Sequence, residues 1–351
     1  MPTRLTAILQ VCVAALLFGF SAPLAKLLLG QVDAVLLAGL LYLGAGAGAF
    51  LMKRLEIKRP GDSPAETPLS TSDLPWLAGA IIAGGIAAPI VQMLALQHTP
   101  ASTASLLLNF ESVGTTIIAV GLFREKINRQ VIFAMLLITA GSILLTWTNA
   151  DWGISLGAFG ILAACFLWGM DNNLTRKIAD KNPLSIVAVK GIGAGIFSVT
   201  LALILGNRTP GVLYVVLALL LGFFSYGLSI QLFIRALRVL GATRTSTLYG
   251  IAPFTGAIFS FLLFREEPQL FFWLAMPIML AGAWLMVSEN SFLLHRHAAQ
   301  QHDHFHVHTD GHHAHEHMPV NLLIDGGHSH PHAHPVRFHI HECTAGHHHH
   351  P

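Results

Sequence analysis

Of the chain's 21 histidines, all but His98 lie at or beyond His295. Most alternate with a single spacer: His302, His304, His306 and His308; His312, His313, His315 and His317; His328, His330, His332 and His334; then His339 and His341. Such alternation lets neighbouring imidazoles swing onto one ion, and neutral imidazole suits nickel, cobalt, zinc and copper. The spacing lacks the closed Cys/His set of a structural zinc site, so several shared ions are expected rather than one ordered centre. A terminal purification tag would explain His347 to His350 but not the sixteen histidines from His295 to His341.

A second set of chemically capable groups lies inside long apolar runs. Glu111 sits eleven residues beyond Pro100 and twelve before Phe123, too deep for its carboxyl to snorkel. An ionisable group at that depth costs about 2.5 to 3.5 kcal/mol and calls for a packing or functional explanation. Asp171, Asn172 and Asn173 offer a carboxylate and two amides after Trp168; a hydrated helix end is the plainer reading, because Arg176 and Lys177 follow. Asn109 lies beside Glu111, and His98 stands before Thr99 and Pro100, as a candidate exit-side ligand or an ordinary solvated histidine. Lys26 and Lys190, near expected helix ends, read as snorkelling cations.

The elements that must position these groups are membrane spans. The 351 residues are 53% hydrophobic and only 11% charged, too few charges for a soluble domain. About 18 to 25 apolar residues cross a bilayer as a helix, and ten such runs are expected: 5–29, 32–52, 74–97, 101–123, 130–148, 153–175, 184–205, 211–234, 242–264 and 269–288. The net charge of +2 and the scattered basic residues exclude a nucleic-acid partner. Cys12, Cys165 and Cys343 make no disulfide framework, and no nucleophile–base set marks an enzyme.

Basic residues fix the expected orientation. One side of the membrane carries Arg4, then Lys53, Arg54, Lys58 and Arg59, then Arg124, Lys126 and Arg129, then Arg176, Lys177 and Lys181, then Arg235, Arg238 and Arg244. The other carries only Arg208 and Arg265. Both termini are therefore expected in the cytoplasm of a multi-pass inner-membrane protein, with the Pro-rich stretch from Lys53 to Asp73 as a loop. The histidine tail, poor in large apolar residues, is expected to be disordered until it binds metal, with a reach of about 40 Å.

The chain also repeats. Shifted by 141 residues, Phe123-Arg124-Glu125 falls on Phe264-Arg265-Glu266, Ala134-Met135 on Ala275-Met276, and Ala140-Gly141 on Ala281-Gly282. At an offset of 150, Leu17, Gly19, Leu24 and Lys26 fall on Leu167, Gly169, Leu174 and Arg176. Two five-helix halves, an odd number each, must enter the membrane in opposite senses, the inverted-repeat plan of many secondary transporters. The expected fold class is thus all-α integral membrane, ten transmembrane helices as two inverted five-helix repeats plus a disordered C-terminal tail. The divisions are 1–148, 149–290 and 291–351.

Phe18-Gly19 with Lys26, Trp168-Gly169 with Arg176, and the Glu125 and Glu266 turns resemble the EamA-type members of the drug/metabolite transporter superfamily over residues 5–288. Where such repeats commonly carry Glu-Pro in the fourth helix, this chain has Glu111-Ser112 in one half and Ala252-Pro253 in the other. The histidine tail is similar to that of nickel and cobalt resistance exporters of the superfamily. A metal-binding tail able to reach the cytoplasmic mouth points to export of a divalent transition metal, and the resemblance puts nickel and cobalt first; Glu111 would hold the proton or cation, with Asp171 and Asn172 on the cytoplasmic approach. Outward movement of a doubly charged cation against 100 mV costs about 4.6 kcal/mol, and no G-x-x-x-x-G-K-[ST] signature occurs, so proton antiport is the economical coupling. The alternative is an exporter of an organic metabolite or amino acid whose tail senses metal. No cofactor is required; the expected partners are lipid, metal ions and a second copy as a homodimer.

Overall fold

The computed structural model describes residues 4–55, 69–125, 127–147, 155–179, 181–240, 245, 248–288, 293–297, 300–307, 327–334 and 337–341. The chain divides into a helical unit up to Glu289 and a C-terminal unit from Asn290.

The helical unit runs α1 Arg4–Gly19, α2 Ser21–Leu28, α3 Ala34–Leu55, α4 Leu74–Ala80, α5 Ala88–Gln97, α6 Ala101–Leu107, α7 Phe110–Phe123, α8 Arg129–Thr146, α9 Leu156–Arg176, α10 Pro183–Ile204, α11 Val212–Gly222, α12 Ser229–Leu240, α13 Ala252–Phe264 and α14 Leu270–Ser288. Among the described residues, eight continuous stretches are long and apolar enough to cross a membrane: 4–28, 34–55, 71–97, 101–123, 129–146, 183–204, 212–237 and 270–288. The other two expected spans differ for identifiable reasons. Helix α9 has the length, 21 residues, but holds the polar run Asp171-Asn172-Asn173, while α13 spans 13 residues after positions only partly described. Asn128, Ser155 and Asn182 start α8, α9 and α10 by accepting the backbone N–H groups of Val131, Ala158 and Ser185, the usual answer to unpaired amides at a helix start.

Helix α3 packs along α10, α8 along α14, and α7 and α5 along α9. Gly46 and Gly191 let α3 and α10 meet backbone to backbone: a Cβ on Gly46 would lie 2.5 Å from the Ile192 nitrogen. Leu37, Leu41, Met93, Leu96, Ile138 and Ile161 fill the interior. Leu9, Ile82, Leu122, Leu136, Ile196 and Val212 stay exposed, a belt that suits hydrocarbon rather than water.

Two interruptions in these helices bear on the polar groups inside them. Pro89 supplies no N–H, so the turn before it, Ile81–Ala87, opens into a π-helix in which Ala88 N–H bonds to Ala83. The Gly84 carbonyl, whose π-type partner would be the missing Pro89 N–H, is freed for side chains. Between α6 and α7, Glu111 and Ser112 bond back only three residues, to Leu108 and Asn109, which places Glu111 at a fresh helix start.

The described segments of the tail are four short strands. Leu293–His297 pairs antiparallel with Arg337–His341, and Gln300–Val307 with Gly327–His334. Alternation with one spacer is also the strand period. The register sets His302 against His332, His304 against His330, His306 against His328 and His295 against His339. His308, His312, His313, His315 and His317 lie outside the described residues, as does most of the Lys53–Asp73 loop.

Candidate functional site

Helix α9 builds the site by periodicity. Trp168, Asn172 and Thr175 recur at four- and three-residue spacing and so share one face, with Asp171 at its edge. The Trp168 indole donates to the freed Gly84 carbonyl at 3.1 Å, as does the Tyr42 hydroxyl, so the π-turn ties α9 to α3. Gly84 is obligatory for this approach, because a Cβ there would overlap the Asp171 carboxylate. Gly169 plays the same part against α7, where a Cβ would sit 2.6 Å from the Thr115 nitrogen.

Three of the five residues expected inside or beside the membrane are brought together. Asn172 donates to Glu111 Oε1 at 2.8 Å and its amide also meets Thr115 Oγ1 at 3.2 Å. Asp171, buried, forms an ion pair with Lys190 of α10 and accepts from Thr175 Oγ1 at 3.0 Å. Glu111 lies in the field of both Asp171 and Lys190. Lys190 neutralises Asp171, and Glu111 holds the second carboxylate of the cluster. Asn173 is structural, donating to the Thr115 and Gly169 carbonyls.

Asn109 and His98 do not join them. Asn109 turns its amide back to the Leu106 carbonyl at 2.9 Å; two residues before Glu111 on a helical path, it faces away by about 200°. His98 is the exposed C-cap of α5, at the end of the molecule where α6 begins. Neither lysine snorkels freely. Lys190 is paired as described, and Lys26 donates to the Leu96 and Thr99 carbonyls. Among the described residues, no three His, Cys, Asp or Glu side chains gather as a metal site.

The walls were missed by sequence reasoning. A cavity of about 270 Å³ is bounded by Tyr42 and Tyr226 with Asn172, Thr175 and Lys190, and the two tyrosine rings stack at 6.2 Å. Phe18 packs edge-on to Tyr226 at 5.9 Å and against Tyr249 at 5.7 Å. Hydropathy reads such aromatics as ordinary span residues. A usable signal was the position of Trp168, one turn before Asn172. A second cavity of similar size lies beside Thr115, Asn172, Arg176 and Glu125.

Apolar helices around a small polar and aromatic cavity, with a paired lysine and two carboxylates inside the helical unit, define a multi-pass membrane protein. A solved crystal structure at 19% identity has the same fold, with a TM-score of 0.57 over 81% of this chain and 99% of that one. Residues 5–147 and 155–288 match the EamA-like transporter family, and the chain belongs to it. The family is a transporter family, not a class of enzymes. An uncharacterized transporter of Methanothermobacter thermautotrophicus is 28% identical over 299 residues, covering 81% of this chain and 86% of that protein.

Proposed function

We propose that this transporter exports a small organic amine or amino acid in exchange for protons, with Glu111 holding the substrate ammonium or the proton in turn. The carrying observation is a polar cluster that reaches the Tyr42–Tyr226 cavity through Asn172 and Lys190: Lys190 answers Asp171, and Glu111, behind Asn172, adds a second carboxylate. Tyrosine rings on the cavity wall suit an organic cation through cation–π attraction, with the Glu111 carboxylate one hydrogen bond behind Asn172. The two matched stretches and the 141-residue offset support two inverted five-helix repeats, the plan on which alternating access is built. The excess of basic residues on one side supports an inner-membrane protein with cytoplasmic termini.

A second reading, export of nickel, cobalt or another divalent cation, is favoured by the histidine tail. In the first reading the tail binds those ions and regulates. Uptake into inside-out vesicles separates the two: labelled amino acids, organic amines, nickel, cobalt and zinc are offered with and without a proton gradient, using the full chain and a chain lacking 295–351. Gradient-driven uptake of an organic compound by both, metal-responsive only with the tail, supports the first. Gradient-driven uptake of a metal by the tail-less chain replaces it with the second.

A further inference from the structure

The two Phe-Arg-Glu triplets share a conformation. Arg124 after α7 and Arg265 after α13 are the positive-φ non-glycine residues among those described, at 55° and 50°. A left-handed residue ends a helix sharply and throws the following glutamate sideways. The two glutamates, equivalent at the 141-residue offset, then do different things.

Glu266 grips the start of α6. Its Oε1 accepts the Ala101 N–H at 2.8 Å, and its Oε2 accepts the Ser102 N–H at 3.1 Å and the Ser102 hydroxyl. Lys26, in the electrostatic range of Glu266, ties the neighbouring Leu96 and Thr99 carbonyls to the end of α2. One carboxylate and one ammonium thus join the ends of α2, α5 and α13 to the start of α6. At the far end of the same span, about 33 Å away at about 1.5 Å per residue, Glu125 meets the exposed Arg176 in a surface ion pair. Surface pairs of this kind are weak, whereas a carboxylate on unpaired helix amides is among the stronger hydrogen-bonded groups. Both cavities reach toward the Arg176 end, one through Thr175 and Pro183 and the other through Arg176 and Glu125 themselves.

We propose that Glu266 is the latch that holds the closed end of the transporter shut, and that exposing the cavity on that face requires its carboxylate to release Ala101 and Ser102. Glu125, its counterpart, borders the open end. The inference rests on the transporter reading but not on the identity of the substrate.

The test needs no substrate. In a chain carrying Cys12→Ser, Cys165→Ala and Cys343→Ser, Ile230→Cys places one thiol on the cavity wall. A membrane-impermeant maleimide is added from either face of oriented vesicles. The parent protein reacts from the Arg176 face. Glu266→Gln is expected to react about tenfold faster from the Glu266 face than the parent does, and Ser102→Ala to move the same way by a smaller factor. Glu125→Gln is expected to give no gain on that face. Unchanged labelling from the Glu266 face in both Glu266→Gln and Ser102→Ala, or an equal gain in Glu125→Gln, overturns the proposal. Should Glu266→Gln fail to insert, Ser102→Ala, which keeps the charge, decides alone. Labelling that shifts as expected while no compound is carried leaves the latch standing and removes the substrate reading.

Discussion

Replacing Asp171 with asparagine strands the Lys190 ammonium inside the helical unit. The Asp171 side chain is 5% exposed and that of Lys190 18%, so neither charge is well hydrated once its partner is gone. Breaking a buried pair from one side costs about 3 to 5 kcal/mol; the residual exposure of Lys190 places Asp171→Asn at the low end, about 3 kcal/mol. Neutral hydrogen bonds between membrane helices average only about 0.6 kcal/mol, so a loss of that larger size is a charge effect. The double variant Asp171→Asn/Lys190→Met removes both charges of the pair together, leaving the Glu111 carboxylate with its Asn172 donor, and is expected within about 1 kcal/mol of the parent. The cycle is read by equilibrium unfolding in mixed micelles of sodium dodecyl sulfate and a mild detergent, following tryptophan fluorescence. A single variant within about 0.5 kcal/mol of the parent, or a double variant no better than the single, would refute the reasoning that the pair is buried and mutually dependent.

Gly84→Ala is expected to disrupt the same pair by sterics and to abolish transport, while Gly193→Ala, whose new Cβ would meet only the Ile81 side chain at 3.7 Å, is expected to be tolerated; vesicle uptake compares them. Trp168→Phe removes the indole donor to the Gly84 carbonyl and is expected to cost about 1 kcal/mol in the same unfolding assay. For the tail, protonated imidazole does not ligate, so metal binding is present above the ordinary imidazole pKa near 6.5 and lost below it. Nickel affinity of the full chain, measured by calorimetry, is expected to fall at least about tenfold from pH 7.5 to 5.5, and equal affinity at both would contradict imidazole ligation.

Much of this arrangement was legible in the residues. Apolar length located eight of the ten expected spans among the described residues because the bilayer imposes it, and the Phe-Arg-Glu triplets marked two helix ends that prove to share a left-handed arginine. Glu111, Asp171 and Asn172 stood out because carboxylates and amides at that depth need partners. What sequence did not supply was rotation. Lys190, two turns into α10, faces Asp171 rather than the interface, and Asn109 faces away from Glu111 although they are two residues apart. Tyr42 and Tyr226 were invisible for the same reason, since an aromatic in an apolar run scores alike toward lipid or cavity. The Gly84 carbonyl was readable in principle, as Pro89 five residues on removes its π-helical donor.

The most direct test of Glu111 as the exchanging group is proton-gradient-driven uptake in inside-out vesicles by the parent and by Glu111→Gln, matched for folded, inserted protein. The geometry predicts that the parent accumulates an organic amine or amino acid when the gradient is imposed, and that Glu111→Gln loses the gradient-driven accumulation. Accumulation by Glu111→Gln at the parent's rate and with the parent's gradient dependence would contradict it.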